Sequence, residues 1–227
     1  MPGIELVIFD CDGVLIDSEM ISCRCAAEAL SHAGIHIDTA GVLDRFLGIG
    51  RADMVRWAEG ELGRSLGEGF LADLVHTIRT AFDTELRPIP GVREAVAAMG
   101  ARRCVASGSD PDYIRDALAL TGLLDLFTPH LFSATMVARG KPAPDVFLYA
   151  ASQMGVAPER CVVIEDSDVG VRAGKAAGMT VFGFTGGSHI GPADQVNRMR
   201  AAGSDGLFDA MVRLPDLVKA AQVSRLS

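Results

Sequence analysis

Asp10 and Asp12 stand one residue apart where an apolar run ends, in the stretch FDCDGVLIDSE. Carboxylates at the end of such a run are costly to bury unless something compensates their charge. Two readings are open for the pair: it caps a turn, or it holds a cation and does chemistry. An EF-hand loop is excluded, because it needs its glycine sixth and a helix before it, whereas Gly13 is fourth from Asp10 and a strand-like run precedes. On a continuing strand both side chains would face one side. Gly13 suggests instead that the chain turns there, bringing Asp12 over the strand end and sending Cys11 elsewhere. Comparable side chains follow other apolar runs: Ser107-Gly108-Ser109 after Cys104–Ala106, and Glu165-Asp166 after Cys161–Ile164. Positive charge is scarcer. Of three lysines (141, 175 and 219), only Lys141 lies in a loop between sheet elements, between Gly140 and Pro142.

The elements that must position these groups can be read from the same runs. Ile4–Phe9, Cys104–Ala106, Leu131–Phe132, Cys161–Ile164 and Thr180–Phe184 are short and nearly continuous in apolar residues, as strands buried on both faces are. Between them lie helical segments with proline near the first turn or glycine past the last: Gly91–Met99, a helix from Pro111 to Gly122, another from Pro144 to Gly155, and Val169–Ala177. That alternation predicts an α/β protein with a doubly wound parallel sheet. Ligands of such sheets sit outside the carboxyl ends of the strands, so four carboxylates and two hydroxyls converge on one edge. They would repel each other without a cation, and oxygen-only ligands point to Mg²⁺ rather than zinc.

Residues 18–87 differ. Ser18–Ala33, Thr39–Phe46, Ala52–Leu62 and Gly69–Thr84 read as helices, Ser18 as the first cap and Gly34 as its stop. No strand is evident there, so this is an all-helical insertion, with the sheet domain comprising 1–17 and 88–227. Past residue 185, Gly186-Gly187-Ser188-His189 is a loop and Leu207–Ala221 a terminal helix broken at Pro215.

Composition narrows the partners. The chain has 227 residues, 49% hydrophobic and 22% charged, an ordinary globular balance. A formal net charge of −8 disfavours nucleic acid as a partner. Five cysteines without a Cys-x-x-Cys pair disfavour a disulfide framework and a structural zinc site; Cys23 and Cys25 read as buried helix residues. No signal peptide and no membrane-spanning run is evident, which gives a cytoplasmic expectation with no membrane partner. A monomer is the default.

The stretches Asp10-Cys11-Asp12-Gly13-Val14, Val105-Ala106-Ser107-Gly108-Ser109, Gly140-Lys141-Pro142 and Val163-Ile164-Glu165-Asp166-Ser167, followed by Gly170, resemble in order and spacing the four motifs of the haloacid dehalogenase superfamily. The helical insertion after the first motif makes the chain similar to the branch holding phosphoglycolate phosphatases, sugar-phosphate phosphatases and β-phosphoglucomutase. The resemblance implies a Rossmann-like core with a helical cap and a Mg²⁺-dependent phosphatase acting on a small phosphorylated metabolite. Asp10 would be the nucleophile, forming an aspartyl-phosphate, and Asp12 the general acid and then general base. Mg²⁺ would be held by the Asp10 carboxylate, the Asp12 backbone carbonyl and Asp166, with Glu165 close by. Ser107, Gly108 and Lys141 would bind the phosphoryl group, Lys141 also bracing the nucleophile.

Departures from the family patterns guide the choice within it. Haloacid dehalogenases lack an acid two residues after the nucleophile, so Asp12 speaks for phosphoryl transfer. Phosphonoacetaldehyde hydrolases need a cap lysine, and residues 18–87 contain none. β-Phosphoglucomutases carry a cap lysine and a histidine where Ser22 stands here. Water is therefore the expected acceptor, with the mutase as the alternative. A non-catalytic binder of phosphorylated metabolites is an alternative of another class, disfavoured because a pure binder has no need of both Asp10 and Asp12. The resemblance is nearest to bacterial phosphatases of sugar, sugar-acid and polyol phosphates, 6-phosphogluconate among them. Several residues carry two readings. Arg51 is either a substrate-facing cap arginine or a solvated one. His189 lines the pocket rim or lies on the surface, the latter being commoner. Glu165 is a ligand or an acid at a helix start. Asp168 serves the helix dipole, Asp17 a cap or hinge, and Trp57 the cap core.

Overall fold

A computed structural model of the protein describes residues 3–191 and 194–224. The chain divides into two compact units, Met1–Asp17 with Pro88–Ser227, and Ser18–Arg87. Strand β1 (Leu6–Phe9) is followed by α1 (Glu19–Ala33), α2 (Thr39–Phe46), α3 (Arg51–Leu62) and α4 (Phe70–Glu85), which form the second unit. The first unit resumes with α5 (Val92–Ala98), β2 (Arg102–Ser107), α6 (Pro111–Leu120), α7 (Leu124–Phe127), β3 (Leu131–Ser133) and α8 (Asp145–Gln153). It ends with β4 (Cys161–Glu165), α9 (Asp168–Ala176), β5 (Thr180–Phe184), α10 (Asp194–Ala201), β6 (Gly206–Phe208) and α11 (Leu214–Ser224). Among the described residues no helix is long and apolar enough to cross a membrane.

The described strands form one six-stranded sheet of order β3-β2-β1-β4-β5-β6, parallel at every pairing. The chain builds outward from β1 to β3, then returns to the other side of β1 and builds outward again. That reversal places a crevice at the carboxyl ends of β1 and β4. Every residue of β1, β4 and β5 is buried, which is why these runs show no polar alternation. Side chains two apart share a face. Leu6, Ile8, Cys104, Ala106, Val163 and Val181 accordingly pack in one core with Val146, Phe147 and Ala150 of α8, Val171 and Ala173 of α9, and Met199 of α10. Phe9, on the opposite parity, meets Phe127 of α7 edge to face at 5.6 Å between centroids, so both faces are covered. The doubly wound α/β architecture expected from the sequence is the one observed.

Register brings the chemistry-bearing ends level. Phe9 pairs with Val105 on one side and Ile164 on the other, and the Asp10 amide still donates to the Ile164 carbonyl at 3.0 Å. The residues just past Phe9, Val105 and Ile164 therefore emerge together.

The second unit consists of four helices joined by loops, α1 packing on α2 and α4 and α3 on α4. Gly34 ends α1 in the left-handed region (φ 103°) and donates to the Leu30 and Ser31 carbonyls. Ser18 holds the cap position of α1, but its side chain makes no capping bond; Glu19 in the first turn complements the helix dipole instead. Trp57 packs its ring on Phe46, 5.1 Å between centroids, with the Arg45 guanidinium over it at 4.8 Å. Cys23 and Cys25 lie buried on α1, and all five cysteines are free.

The segment past residue 185 departs from expectation. Leu207 and Phe208 belong to β6 at the sheet edge, not to a helix, and Pro215 sits in the first turn of α11, where the missing N–H costs nothing, rather than breaking it. Two helices, α7 and α10, escape the sequence reading, although α10 is closed by Gly203 in the left-handed region.

Gly174 of α9 lets that helix lie against the sheet: a methyl group there would come within 2.6 Å of Val181 Cγ2 and 3.5 Å of Val163. Gly174→Ala gains about 1 kcal/mol of helix propensity and loses about 1–3 kcal/mol to overpacking. We expect a net loss of stability in urea denaturation; an unchanged or higher midpoint would show that the helix shifts at no cost.

Candidate active site

The turn after β1 is made by Gly13, with φ +71°. It is closed by Gly13 N to Ile16 O at 2.9 Å and Leu15 N to Cys11 O at 2.9 Å. A side chain at Gly13 would be strained and would also come within 1.8 Å of Asp166 Oδ2. The turn therefore needs glycine on two counts. It leaves Asp10 buried at the strand end, turns Cys11 fully inward, and presents Asp12 half-exposed.

Glu165 ends β4 and Asp166 follows it, both buried. The Ser167 side chain caps α9 by accepting from Gly170 N at 3.0 Å. Glu165 Oε2 accepts from Asp166 N at 3.2 Å, Ser167 N at 3.4 Å and Ser167 Oγ at 3.1 Å. Gly170 makes room for that carboxylate, since a Cβ there would stand 1.9 Å from Glu165 Cδ. Lys141 bridges the two strand ends. Its Nζ lies 2.5 Å from Glu165 Oε1 and 2.9 Å from Asp10 Oδ1, with its side chain 9% exposed, and the Phe147 ring lies 5.0 Å below it.

Asp10, Glu165 and Asp166 each offer a carboxylate oxygen within 4.8 Å of the others. Oδ1 of Asp10 and Oδ2 of Asp166 are buried without a hydrogen bond of good geometry, although Lys141 Nζ and His189 Nε2 each come to 2.9 Å. Three buried carboxylates thus face one ammonium. An all-oxygen donor set with two under-satisfied anionic atoms fits a hard cation such as Mg²⁺. Burial raises the pKa of Asp10 well above the ordinary carboxylate value; Lys141 opposes this, while Glu165, Asp166 and Asp12 add to it. Burial likewise raises Glu165 against the pull of Lys141. For Lys141, burial works against the charge, but Asp10 and Glu165 prevail and hold its pKa above the ordinary value.

The Asp12 carboxylate stands apart from this cluster. Oδ1 accepts from the Tyr113 hydroxyl at 2.7 Å and Oδ2 from Ser109 Oγ at 2.9 Å. Ser107 is buried at the end of β2, its Oγ accepting from Ser109 N at 3.1 Å, and Gly108 is exposed beside it. Tyr113 was not legible as a site residue: in α6 it reads as one more core aromatic.

His189 is neither at a rim nor on the surface. It is 1% exposed, with Nε2 2.9 Å from Asp166 Oδ2. Two glycines admit it: a Cβ at Gly187 would meet its Cε1 at 2.5 Å, and one at Gly13 would meet it at 2.8 Å. Asp17 is a tie for this loop, its Oδ1 accepting from Ser188 N at 3.0 Å and Ser188 Oγ at 2.8 Å. Asp168 lies in the first turn of α9, paired with Arg172 at 2.5 Å. Arg51 belongs to the helical unit, half-exposed at the start of α3. There its charge acts on Cys23, whose thiol burial nonetheless pushes up to about 12.

A parallel α/β sheet with an acidic cluster at its switch point, braced by one buried lysine, has the donor set that could hold a cation. Comparison with known proteins agrees. The family model for haloacid dehalogenase-like hydrolases matches residues 4–178, and the chain belongs to that family. It is 34% identical to a 6-phosphogluconate phosphatase of Escherichia coli, over 85% of this chain and 87% of that protein. It is 36% identical to hexitol phosphatase B of the same organism, over 76% and 79%. A solved haloacid dehalogenase-like protein of Agrobacterium tumefaciens superposes with TM-score 0.86 at 36% identity, covering 96% of this chain and 99% of that one.

The raised carboxyl groups carry a sign that can be checked. As pH rises from about 4, the unfolded chain releases the protons of Asp10 and Glu165 before the metal-free native state does, so through that window stability falls as pH rises. In EDTA, Asp10→Asn is expected to stabilise the fold at pH 7 by on the order of 1 kcal/mol, about 2–4 °C in Tm. The gain should shrink toward pH 4. A lower Tm for the variant at pH 7 would mean that the Lys141 contact outweighs the burial of Asp10.

Proposed function

We propose that this protein is a Mg²⁺-dependent phosphatase of a small sugar, sugar-acid or polyol phosphate, acting through an aspartyl-phosphate on Asp10. The observation that carries this reading is the separation of two aspartates two positions apart in sequence. Asp10 lies in the cation-type cluster with Lys141, and Asp12 lies outside it, held by two hydroxyls. Two chemically different carboxylates at one strand end suit a nucleophile and its proton-transfer partner. The relatives that are a 6-phosphogluconate phosphatase and a hexitol phosphatase support the substrate class.

In the first step an Asp10 oxygen attacks phosphorus in line and the bond to the leaving oxygen breaks. Asp12 gives that oxygen its proton. In the second step Asp12 takes a proton from a water molecule, whose oxygen attacks the aspartyl-phosphate and releases inorganic phosphate and free Asp10. Ser107, the Gly108 amide and Lys141 hold the phosphoryl oxygens, and Lys141 braces Asp10. Asp10, Asp166 and the Asp12 carbonyl would hold Mg²⁺. Glu165, already bound to Lys141 and Ser167, acts first as the anchor of the lysine. When bound, the cation offsets the charge that otherwise opposes the meeting of an anionic nucleophile and an anionic phosphoryl group.

Arg51, at the start of α3, is in this reading the residue that selects the remainder of the substrate. The absence of lysine from 18–87, and Ser22 where mutases carry histidine, favour water over a second sugar phosphate as acceptor. The protein acts in the cytoplasm, as a monomer.

The test is phosphate release from a panel of sugar, sugar-acid and polyol phosphates, with Mg²⁺ and with EDTA, including β-glucose 1-phosphate with its bisphosphate. Release should require Mg²⁺ and fall on the order of 10³-fold or more in Asp10→Asn. Glucose 6-phosphate without phosphate release would establish the mutase instead, and binding without turnover of any panel member would establish a phosphometabolite-binding protein.

A further inference from the structure

Asp12 is held more tightly than its place in a short turn requires. Both its oxygens accept from hydroxyls, Oδ1 from Tyr113 at 2.7 Å and Oδ2 from Ser109 at 2.9 Å. Ser109 is itself fixed at both backbone ends. Its amide donates to Ser107 Oγ at 3.1 Å, and its carbonyl accepts from Ser133 Oγ at 2.6 Å. Tyr113 is fixed by burial, 5% exposed in the first turns of α6, a helix opened by Pro111. Packing there could be met by phenylalanine equally well, so the hydroxyl is the part that packing leaves unexplained.

A carboxylate has about four acceptor positions on two oxygens. One hydroxyl on each oxygen fixes the plane of the group. Without them the side chain can turn about two bonds, and a displacement of about 1 Å can cost about 10²-fold in rate.

We propose that Tyr113 is a positioning residue of the reaction: its hydroxyl, with that of Ser109, holds the Asp12 carboxyl in the plane from which it delivers and recovers the proton. This rests on Asp12 being the acid/base group, and it adds a residue that lies outside the four motifs. The consequence depends on the leaving group. A sugar or polyol alkoxide needs its proton as the phosphorus–oxygen bond breaks. A p-nitrophenolate leaves as a stable anion and does not. Hydrolysis of the aspartyl-phosphate needs Asp12 in either case, because water must lose a proton.

Tyr113→Phe is therefore expected to lower kcat on a hexitol 6-phosphate about 10–100-fold with KM changed less than about 3-fold. With p-nitrophenyl phosphate in stopped flow, it should release a burst of p-nitrophenol close to one per enzyme. The burst rate should stay within about 3-fold of wild type, followed by slow turnover. Asp12→Asn should show the same pattern more strongly, and adding Tyr113→Phe to it should cost nothing further. Melting curves confirm that each variant is folded. If Asp12→Asn shows the pattern and Tyr113→Phe does not, or if the two losses simply add, the role of Tyr113 is overturned while Asp12 keeps its own. If Asp12→Asn leaves hexitol phosphate turnover intact, or wild type turns over no sugar, sugar-acid or polyol phosphate of the panel, both readings fall together.

Discussion

Crowded negative charge in a dry place is the condition to which the rest of this structure answers. Asp10, Glu165 and Asp166 meet at the ends of two adjacent buried strands, where low polarity strengthens their repulsion. Lys141 is the one ammonium set between Asp10 and Glu165. Removing Lys141 would leave buried carboxylates uncompensated, which is far costlier than losing a surface pair. Lys141 is correspondingly confined: a buried stem, a carboxylate on two sides and an aromatic ring beneath.

Much of the local backbone serves the same end by making room. Gly13 yields space to the Asp166 carboxylate, Gly170 to that of Glu165, and Gly187 to the His189 ring. The donors are equally specific. Two amides and a serine hydroxyl converge on Glu165 Oε2, which frees Oε1 for Lys141. A parallel sheet suits the arrangement, because its register presents the ends of β1 and β4 side by side without any loop having to reach.

The two aspartates of the opening stretch show how far environment can divide like groups. Asp10 is buried among charges, whereas Asp12 lies half-exposed between two neutral hydroxyls. One environment suits a group that must face a cation and a phosphoryl group; the other suits a group that must exchange a proton with a leaving oxygen and with water. A single glycine turn produces both.

The chain's sequence determined the sheet, the helical second unit and most of the cluster. The signals are local: a polar residue just past an apolar run, a glycine at a turn, a serine ahead of a helix. Asp10, Asp12, Ser107, Lys141, Glu165 and Asp166 all announce themselves in this way, because a buried strand leaves few places where a charge can stand. Only the tertiary structure decided that Asp12 turns from the cluster to Tyr113, that Asp17 ties down Ser188, and that His189 is buried against Asp166. Those contacts join residues 101 and 171 positions apart in the first two cases. Their partners are set by strand register and helix packing, which no short stretch encodes. The edge strand β6 was missed for a related reason: three residues pair there because β5 offers an open edge, not because their own pattern demands a strand.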